Sequence, residues 1–105
     1  GKLEPDEPAL ETAKRELLEE TGYVAAEWRE LGRLYPCIGY SDERIDFFLA
    51  RKLEFRGAKL DEGEFLETLR IPLAEGVDWI RGGRITDAKT ILGLFWAEKL
   101  LRENW

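Results

Sequence analysis

The strongest constraint on how this chain folds is a helix of defined length near its start. Pro8 suits the first turn of a helix, where a missing N–H loses no hydrogen bond, and Gly22 suits the residue that closes one. Between them, Leu10, Ala13 and Leu17 follow the i, i+3, i+7 spacing that gives a helix one apolar stripe. The sequence therefore predicts a helix that starts at the proline and ends just before the glycine.

The segments after this helix predict strands. An extended segment is indicated over residues 28–38, followed by a turn at 39–42. Residues 44–50 alternate at first and then become apolar on both faces, which is typical of a mostly buried strand. A polar loop over 56–64 leads to a short predicted strand over 66–71.

Two helices are predicted at the end of the chain, a short one over 73–81 and a long one over 87–104. Thr86 or Asp87 can cap the long helix. Its buried side is expected to consist of Ala88, Ile91, Leu92, Phe95 and Leu101.

The order of these elements indicates an α/β (α+β) fold, in which helices cover a mixed sheet. The few predicted strands make a small sheet, and the first residue of the 105 is Gly1 rather than Met. We therefore expect further strands upstream, in a part of the domain that this chain lacks.

Composition excludes several kinds of chemistry. The chain has no His and a single Cys, which excludes Ser-His-Asp and Cys-His nucleophiles, His-ligated metals and disulfide frameworks. Its formal net charge is -6, and no cluster of Lys and Arg is interleaved with aromatic residues, so nucleic acid is not an expected partner. We find no apolar run long enough to span a membrane and expect a cytoplasmic protein.

The predicted first helix is rich in carboxylates. Glu16 and Glu20 are four residues apart and should project side by side, with Glu19 next to them. Arg15 lies between Glu11 and Glu19, where it can hold one of them. Oxygen ligands of this kind suit Mg²⁺ or Mn²⁺, although a charge run alone more often forms a solvated helix face.

The spacing of these residues separates the two interpretations. Gly1 is followed after five residues by Glu7, and after seven more by the run RELLEETGY from Arg15 to Tyr23. This resembles the signature of the Nudix hydrolases, G-x5-E-x7-R-E-U-x-E-E-x-G-U with U a bulky apolar residue, at every specified position. The resemblance implies a Nudix-type α/β/α sandwich, of which residues 1–105 form the C-terminal part and residues 1–23 the Nudix box.

The resemblance also implies roles for the residues of the box. Glu16 and Glu20 are expected to bind Mg²⁺ or Mn²⁺, and Glu19 is a possible further ligand that Arg15 orients. Gly1 is expected to shape the loop at the substrate side. Glu7 matches the signature, but its role could equally be structural.

Two further segments are similar to the ADP-ribose pyrophosphatase branch of the family, which includes hydrolases of other nucleotide sugars. The loop near 36–43 matches at Gly39 and Glu43, the expected substrate-binding residues, but has Ile38 where the branch has a proline. The acidic segment near 60–65 is similar to a loop that reaches the metals. We expect Glu64 to be a ligand and Glu62 to be the base that takes the proton from water.

The resemblance favours metal-dependent hydrolysis of the diphosphate linkage in a nucleoside diphosphate-sugar such as ADP-ribose. The products would be a nucleoside monophosphate and a sugar phosphate. The alternative is a Nudix-like module that senses such ligands without cleaving them. The resemblance further implies a homodimer that pairs through a segment upstream of residue 1.

Overall fold

The computed structural model describes residues 7–57 and 68–105. The described elements are α1 (Ala9–Thr21), β1 (Tyr23–Leu34), β2 (Ile45–Phe55), α2 (Leu73–Arg81) and α3 (Ala88–Glu103). They fall into two compact units. The first contains α1, β1 and β2 from Asp46 onward, and the second contains α2, α3 and the segment Tyr35–Ile45.

Helix α1 begins one residue after the predicted start and ends where the sequence predicts. Pro8 occupies the N-cap position with an extended backbone, at φ -62° and ψ 145°. Gly22 closes the helix in the left-handed conformation, at φ 79°, and its N–H donates to the carbonyl of Leu18 at 2.9 Å. Because a side chain disfavours this backbone conformation, glycine here ends the helix and directs the chain straight into β1.

The two strands of the first unit form an antiparallel sheet against which α1 packs. The backbone N–H of Arg56 donates to the carbonyl of Gly22 at 2.6 Å, so the end of β2 lies beside the start of β1. At the other end, Arg33 Nε donates to Asp46 Oδ1 at 2.9 Å. Tyr23 and Phe55 also pack edge to face, with ring centroids 5.2 Å apart.

The strands differ in extent from the prediction. β1 starts at Tyr23 and ends at Leu34, and β2 continues to Phe55. Pairing between the two strands continues past the predicted limits, although residues 51–54 are polar or exposed and weaken the sequence signal. The end of β2 is irregular, because Lys52 has a φ of 59°. The turn lies at 36–40, earlier than expected, and residues 68–71, the described part of the predicted third strand, form no strand.

In the second unit, α2 has the predicted bounds and packs against α3. Gly76 is buried at this contact, since a Cβ built there would lie 3.4 Å from Leu94 Cδ2. Leu100, 5% exposed, is the buried apolar residue of the described part of the chain. The predicted buried side of α3 is therefore wrong in most positions: Leu92, Phe95 and Leu101 are 41%, 45% and 53% exposed.

None of the helices in the two described ranges combines the length and apolar character that crossing a membrane requires.

Candidate active site

The guanidinium of Arg15 is the centre of a group of carboxylates on and beside α1. Its Nη1 donates to Glu16 Oε1 and to Glu19 Oε2, both at 3.2 Å. Its Nη2 donates to Glu7 Oε1 at 3.2 Å, and its Nε donates to Glu7 Oε2 at 3.3 Å. The expected contact between Arg15 and Glu19 is present, and two more carboxylates share the same guanidinium. We call Glu7, Arg15, Glu16 and Glu19 the Arg15 cluster.

Glu7 is held from two sides, although it precedes the helix. Arg15 binds both of its oxygens in the parallel fork that planar guanidinium and carboxylate groups form. Thr12 donates its hydroxyl to Glu7 Oε1 at 2.7 Å. The sequence left the role of Glu7 open, and the structure shows that Glu7 positions Arg15 within the cluster.

The electrostatics of the cluster follow from its composition. Three carboxylates surround one guanidinium, and the hydrogen bond that Arg15 donates to Glu7 is the largest cause that raises the pKa of Arg15 above its ordinary value. Glu7, Glu19 and Glu16 also raise it by charge attraction. Arg15 thus stays protonated, while the cluster retains more negative than positive charge. An excess of this sign suits a divalent cation.

Within the described ranges, the hydrogen-bond partners of Arg15 are Glu7, Glu16 and Glu19 and do not include Glu11, although the sequence placed Arg15 between Glu11 and Glu19. It faces Lys14 instead, with Lys14 Nζ 3.9 Å from Glu11 Oε1. The reason is the position of Glu7, which lies outside the helix and occupies the Nε edge of Arg15.

The proposed metal ligands on α1 differ in their surroundings. Glu16 is partly buried, with 23% of its side chain exposed, and contacts Arg15. Glu20 lies one turn further along and is exposed. Across residues 7–57 and 68–105, no three acidic, Cys or His side chains lie together in an arrangement ready to hold a metal ion. The carboxylate donors suit a hard cation such as Mg²⁺ or Mn²⁺, but these helix residues need additional ligands.

The expected substrate residues of the 36–43 loop lie in the second unit. Gly39 has φ 97°, and nothing lies within 4 Å of a Cβ built there, so the backbone rather than crowding favours glycine. The N–H of Glu43 donates to Ser41 Oγ at 3.0 Å, and the side chain of Glu43 is exposed. The proposed residues Gly1, Glu62 and Glu64 lie outside the described residues.

Thr12 is the residue of this site that the sequence analysis missed. It is 4% exposed and is the buried polar residue of the described part of the chain. A signal was available: Thr12 lies next to the predicted apolar stripe of α1, where a polar residue needs a hydrogen-bond partner. The partner itself could not be read from helix periodicity, because Glu7 lies before the helix begins.

Comparison with curated proteins gives relatives of similar identity. The chain is 39% identical over 92 residues to an ADP-ribose pyrophosphatase of Bacillus subtilis (strain 168), covering 86% of this chain and 50% of that protein. It is 38% identical over 96 residues to a methanol dehydrogenase activator of Bacillus methanolicus, covering 90% and 52%. A GDP-mannose pyrophosphatase of Escherichia coli O1:K1 / APEC is 37% identical over 95 residues, covering 88% and 49%. The chain spans about half the length of these relatives.

A solved structure described as an ADP compounds hydrolase superposes with a TM-score of 0.86 and 29% identity, covering 99% of this chain and 56% of that one. This likeness confirms the α/β fold that the sequence resemblance implied. The model of the NUDIX domain matches residues 1–91, which include the Arg15 cluster and both strands. The chain therefore belongs to the Nudix family.

Proposed function

We propose that the complete protein containing this chain hydrolyses the diphosphate linkage of a nucleoside diphosphate-sugar such as ADP-ribose. The products are a nucleoside monophosphate and a sugar phosphate. The observation that carries the proposal is the Arg15 cluster, in which one guanidinium contacts three of the box carboxylates. The names of two relatives, an ADP-ribose pyrophosphatase and a GDP-mannose pyrophosphatase, support this substrate class.

The described residues supply a preorganised set of oxygen donors on one helix. Arg15 restrains Glu16 and Glu19 at 3.2 Å each, which limits the rotamers of two long side chains before a ligand arrives. Glu16 and Glu20 are the residues that would hold Mg²⁺ or Mn²⁺, and Glu19 is the further candidate. When bound, such a cation supplies charge neutralisation for the diphosphate and lowers the pKa of a coordinated water.

Hydrolysis breaks one phosphorus–oxygen bond of the diphosphate bridge and forms one between water oxygen and phosphorus. We assign Glu62 the role of accepting the proton that water loses, and Glu64 a place among the cation ligands. We assign substrate binding to Gly1, Gly39 and Glu43. We also propose that the box at 1–23 and the loops near 36–43 and 60–65 belong to one domain, of which the complete protein contains a further part.

The second candidate is a module that binds such a ligand without cleaving it. The Bacillus methanolicus relative, whose name is methanol dehydrogenase activator, is 38% identical, between the 39% and 37% of the two named pyrophosphatases, and supports the regulatory alternative. The complete set of box carboxylates favours hydrolysis, because a module that only binds has no need of a catalytic carboxylate set.

One experiment separates the two candidates. The complete natural protein is incubated with ADP-ribose, GDP-mannose or NADH and Mg²⁺ or Mn²⁺ in ¹⁸O-labelled water, and the products are weighed. We expect cleavage of at least one compound, with the label in the phosphate whose phosphorus was attacked. Tight binding without cleavage under either cation would establish the sensing module instead.

The base assignment has its own test in the complete protein. Glu62→Gln keeps the size of the side chain and removes its ability to accept a proton, so kcat should fall by roughly 100-fold or more. Mn²⁺ affinity, measured by electron paramagnetic resonance, should stay near that of the wild type. Normal turnover of Glu62→Gln would place the base at another residue.

We further propose that the complete protein is a cytoplasmic homodimer. The relatives are about twice as long as the part of them that this chain matches, which leaves room in them for a dimerising segment. Light scattering on the complete protein tests the dimer, and cell fractionation tests the location.

A further inference from the structure

Thr12 is unusual among the polar residues of the described ranges because it is almost completely buried, with 4% of its surface exposed. It lies in α1, at one of the seven positions between Glu7 and Arg15 that the Nudix signature leaves unspecified. No buried side-chain nitrogen or oxygen of the described residues lacks a hydrogen-bond partner, so its hydroxyl is satisfied. Because Thr12 is buried, its polar side chain cannot be explained as part of a solvated helix surface, and its hydrogen bond to a carboxylate indicates a structural role.

The direction of its hydrogen bond follows from the competing acceptors. Thr12 Oγ1 lies 2.7 Å from Glu7 Oε1 and 3.4 Å from the carbonyl of Pro8. That carbonyl already accepts the backbone N–H of Thr12 at 3.1 Å. A hydroxyl has one proton, and a carboxylate is a stronger acceptor than a carbonyl, so Thr12 donates its hydroxyl proton in a hydrogen bond to Glu7 Oε1.

The bond acts on the cluster through Glu7. Glu7 Oε1 accepts from Thr12 and from Arg15 Nη2, which fixes the plane of the carboxylate. Because the guanidinium is planar, pairing its Nε and Nη2 with Glu7 also fixes the direction of Nη1. Nη1 is the atom that contacts Glu16 and Glu19.

We propose that Thr12 is a positioning residue of this site, whose hydroxyl orders Glu7 and, through Glu7 and Arg15, the carboxylates of Glu16 and Glu19. This inference rests on the proposed function for its effect on turnover. Its effect on the order of Arg15 does not depend on catalysis. Outer partners of this kind typically change activity by roughly 10–100-fold when they are removed.

The test compares two substitutions in the complete protein. Thr12→Val keeps the shape of the side chain and removes the hydroxyl, whereas Thr12→Ser keeps the hydroxyl and removes the methyl group. We expect Thr12→Val to lower kcat by about tenfold with KM changed less than about twofold. Thr12→Ser should restore most of kcat, because the hydrogen bond and not the methyl group is responsible.

Thr90→Val is the matched control. Thr90 also donates its hydroxyl to a carboxylate at 2.7 Å, but the acceptor is the helix-capping Asp87. This variant loses the same kind of bond and should keep kcat. Equal losses of kcat in Thr12→Val and Thr90→Val would overturn the proposal, because both would then reflect general destabilisation.

A second readout needs neither a cation nor a substrate. In ¹⁵N spectra of the arginine side chains, the Nε–H of Arg15 should exchange slowly with water in the wild type and in Thr12→Ser, and faster in Thr12→Val. An unchanged Arg15 signal in Thr12→Val would overturn the positioning role. If the wild type cleaves no nucleotide sugar, the proposed function fails, while this measurement still decides the role of Thr12.

Discussion

Thr12 and Thr90 make the same hydrogen bond in two different surroundings. Each hydroxyl donates to a carboxylate at 2.7 Å, Thr12 to Glu7 and Thr90 to Asp87. Thr12 is buried and Thr90 is exposed. The acceptors differ as well, since the side chain of Glu7 is 19% exposed and that of Asp87 is 49% exposed.

The cation beside each carboxylate explains why the two groups can do different things. Lys89 Nζ contacts both oxygens of Asp87, at 2.9 and 3.0 Å, as a compact charge whose donors rotate freely. Arg15 contacts Glu7 with two nitrogens and directs the third toward Glu16 and Glu19. A planar fork transmits the orientation of one carboxylate to others, whereas an ammonium group does not. The first group can therefore order a site, and the second only caps a helix.

The sharpest way to test the difference is to remove a carboxylate that the fork orients. Glu16→Gln keeps the length of the side chain and removes the charge that a divalent cation needs. We expect kcat/KM to fall by more than about 100-fold, beyond the loss that outer partners cause. Mn²⁺ binding, followed by electron paramagnetic resonance, should weaken in parallel.

The counterpart in the capping group is Asp87→Asn, which should leave kcat/KM and Mn²⁺ binding unchanged. If Glu16→Gln binds Mn²⁺ as the wild type does, the cation is held by other residues and the ordering of Glu16 has a different purpose.

The fork itself is tested by Arg15→Lys. Lysine keeps the positive charge but cannot bind both oxygens of Glu7 and reach Glu16 and Glu19 with fixed geometry. We expect kcat to fall by roughly 10–100-fold while the protein remains folded. Steady-state kinetics and circular dichroism measure the two effects.

Lys89→Arg is the control for this exchange, since Lys89 contacts a single carboxylate and no planar geometry is required there. Its kcat should stay within about twofold of the wild type. An Arg15→Lys enzyme with wild-type kcat would show that charge alone is sufficient in the Arg15 cluster.

The same contrast explains which features could be predicted from the sequence and which could not. The limits of α1 and the cap at Asp87 depend on residues adjacent in the chain. The backbone preferences of Pro8 and Gly22 set the two ends of α1, and the side chain of Asp87 reaches the first turn of α3. The contact of Arg15 with Glu19 follows from helix spacing. The contact with Glu7 does not, because Glu7 lies outside the helix and its position depends on tertiary structure.

The buried side of α3 could not be predicted for a related reason. Its sequence is apolar on more than one side, so spacing alone leaves several orientations open. Gly76 on α2 decides between them, because the missing side chain lets Leu94 approach closely. Leu94 therefore faces α2, and Phe95, the next residue along the helix, is 45% exposed.

The smallest expected effect concerns the charge of the capping group and depends on pH. The hydrogen bond from Lys89 is the main cause that lowers the pKa of Asp87, followed by the bonds from Thr90. A carboxyl group with a lowered pKa in the folded state stabilises the protein above its unfolded pKa of about 4, and this stabilisation is lost as pH falls through the lowered value. Asp87→Asn should therefore lower the melting temperature slightly at neutral pH, and the deficit should shrink only below about pH 4.

The matched variant is Asp87→Ala, which removes the acceptor for the Thr90 N–H as well as the charge. Asparagine is itself a good N-cap residue, so the Asn variant isolates the charge, while the Ala variant should keep a deficit at low pH. Melting curves of both variants and the wild type, recorded from about pH 7 downward, measure this difference. An Asn deficit that already shrinks between about pH 7 and pH 5 contradicts the assignment, because no carboxylate with a lowered pKa titrates in that range. We expect the corresponding charge change in the Arg15 cluster to affect turnover, whereas the change at Asp87 should affect only the stability of one helix end.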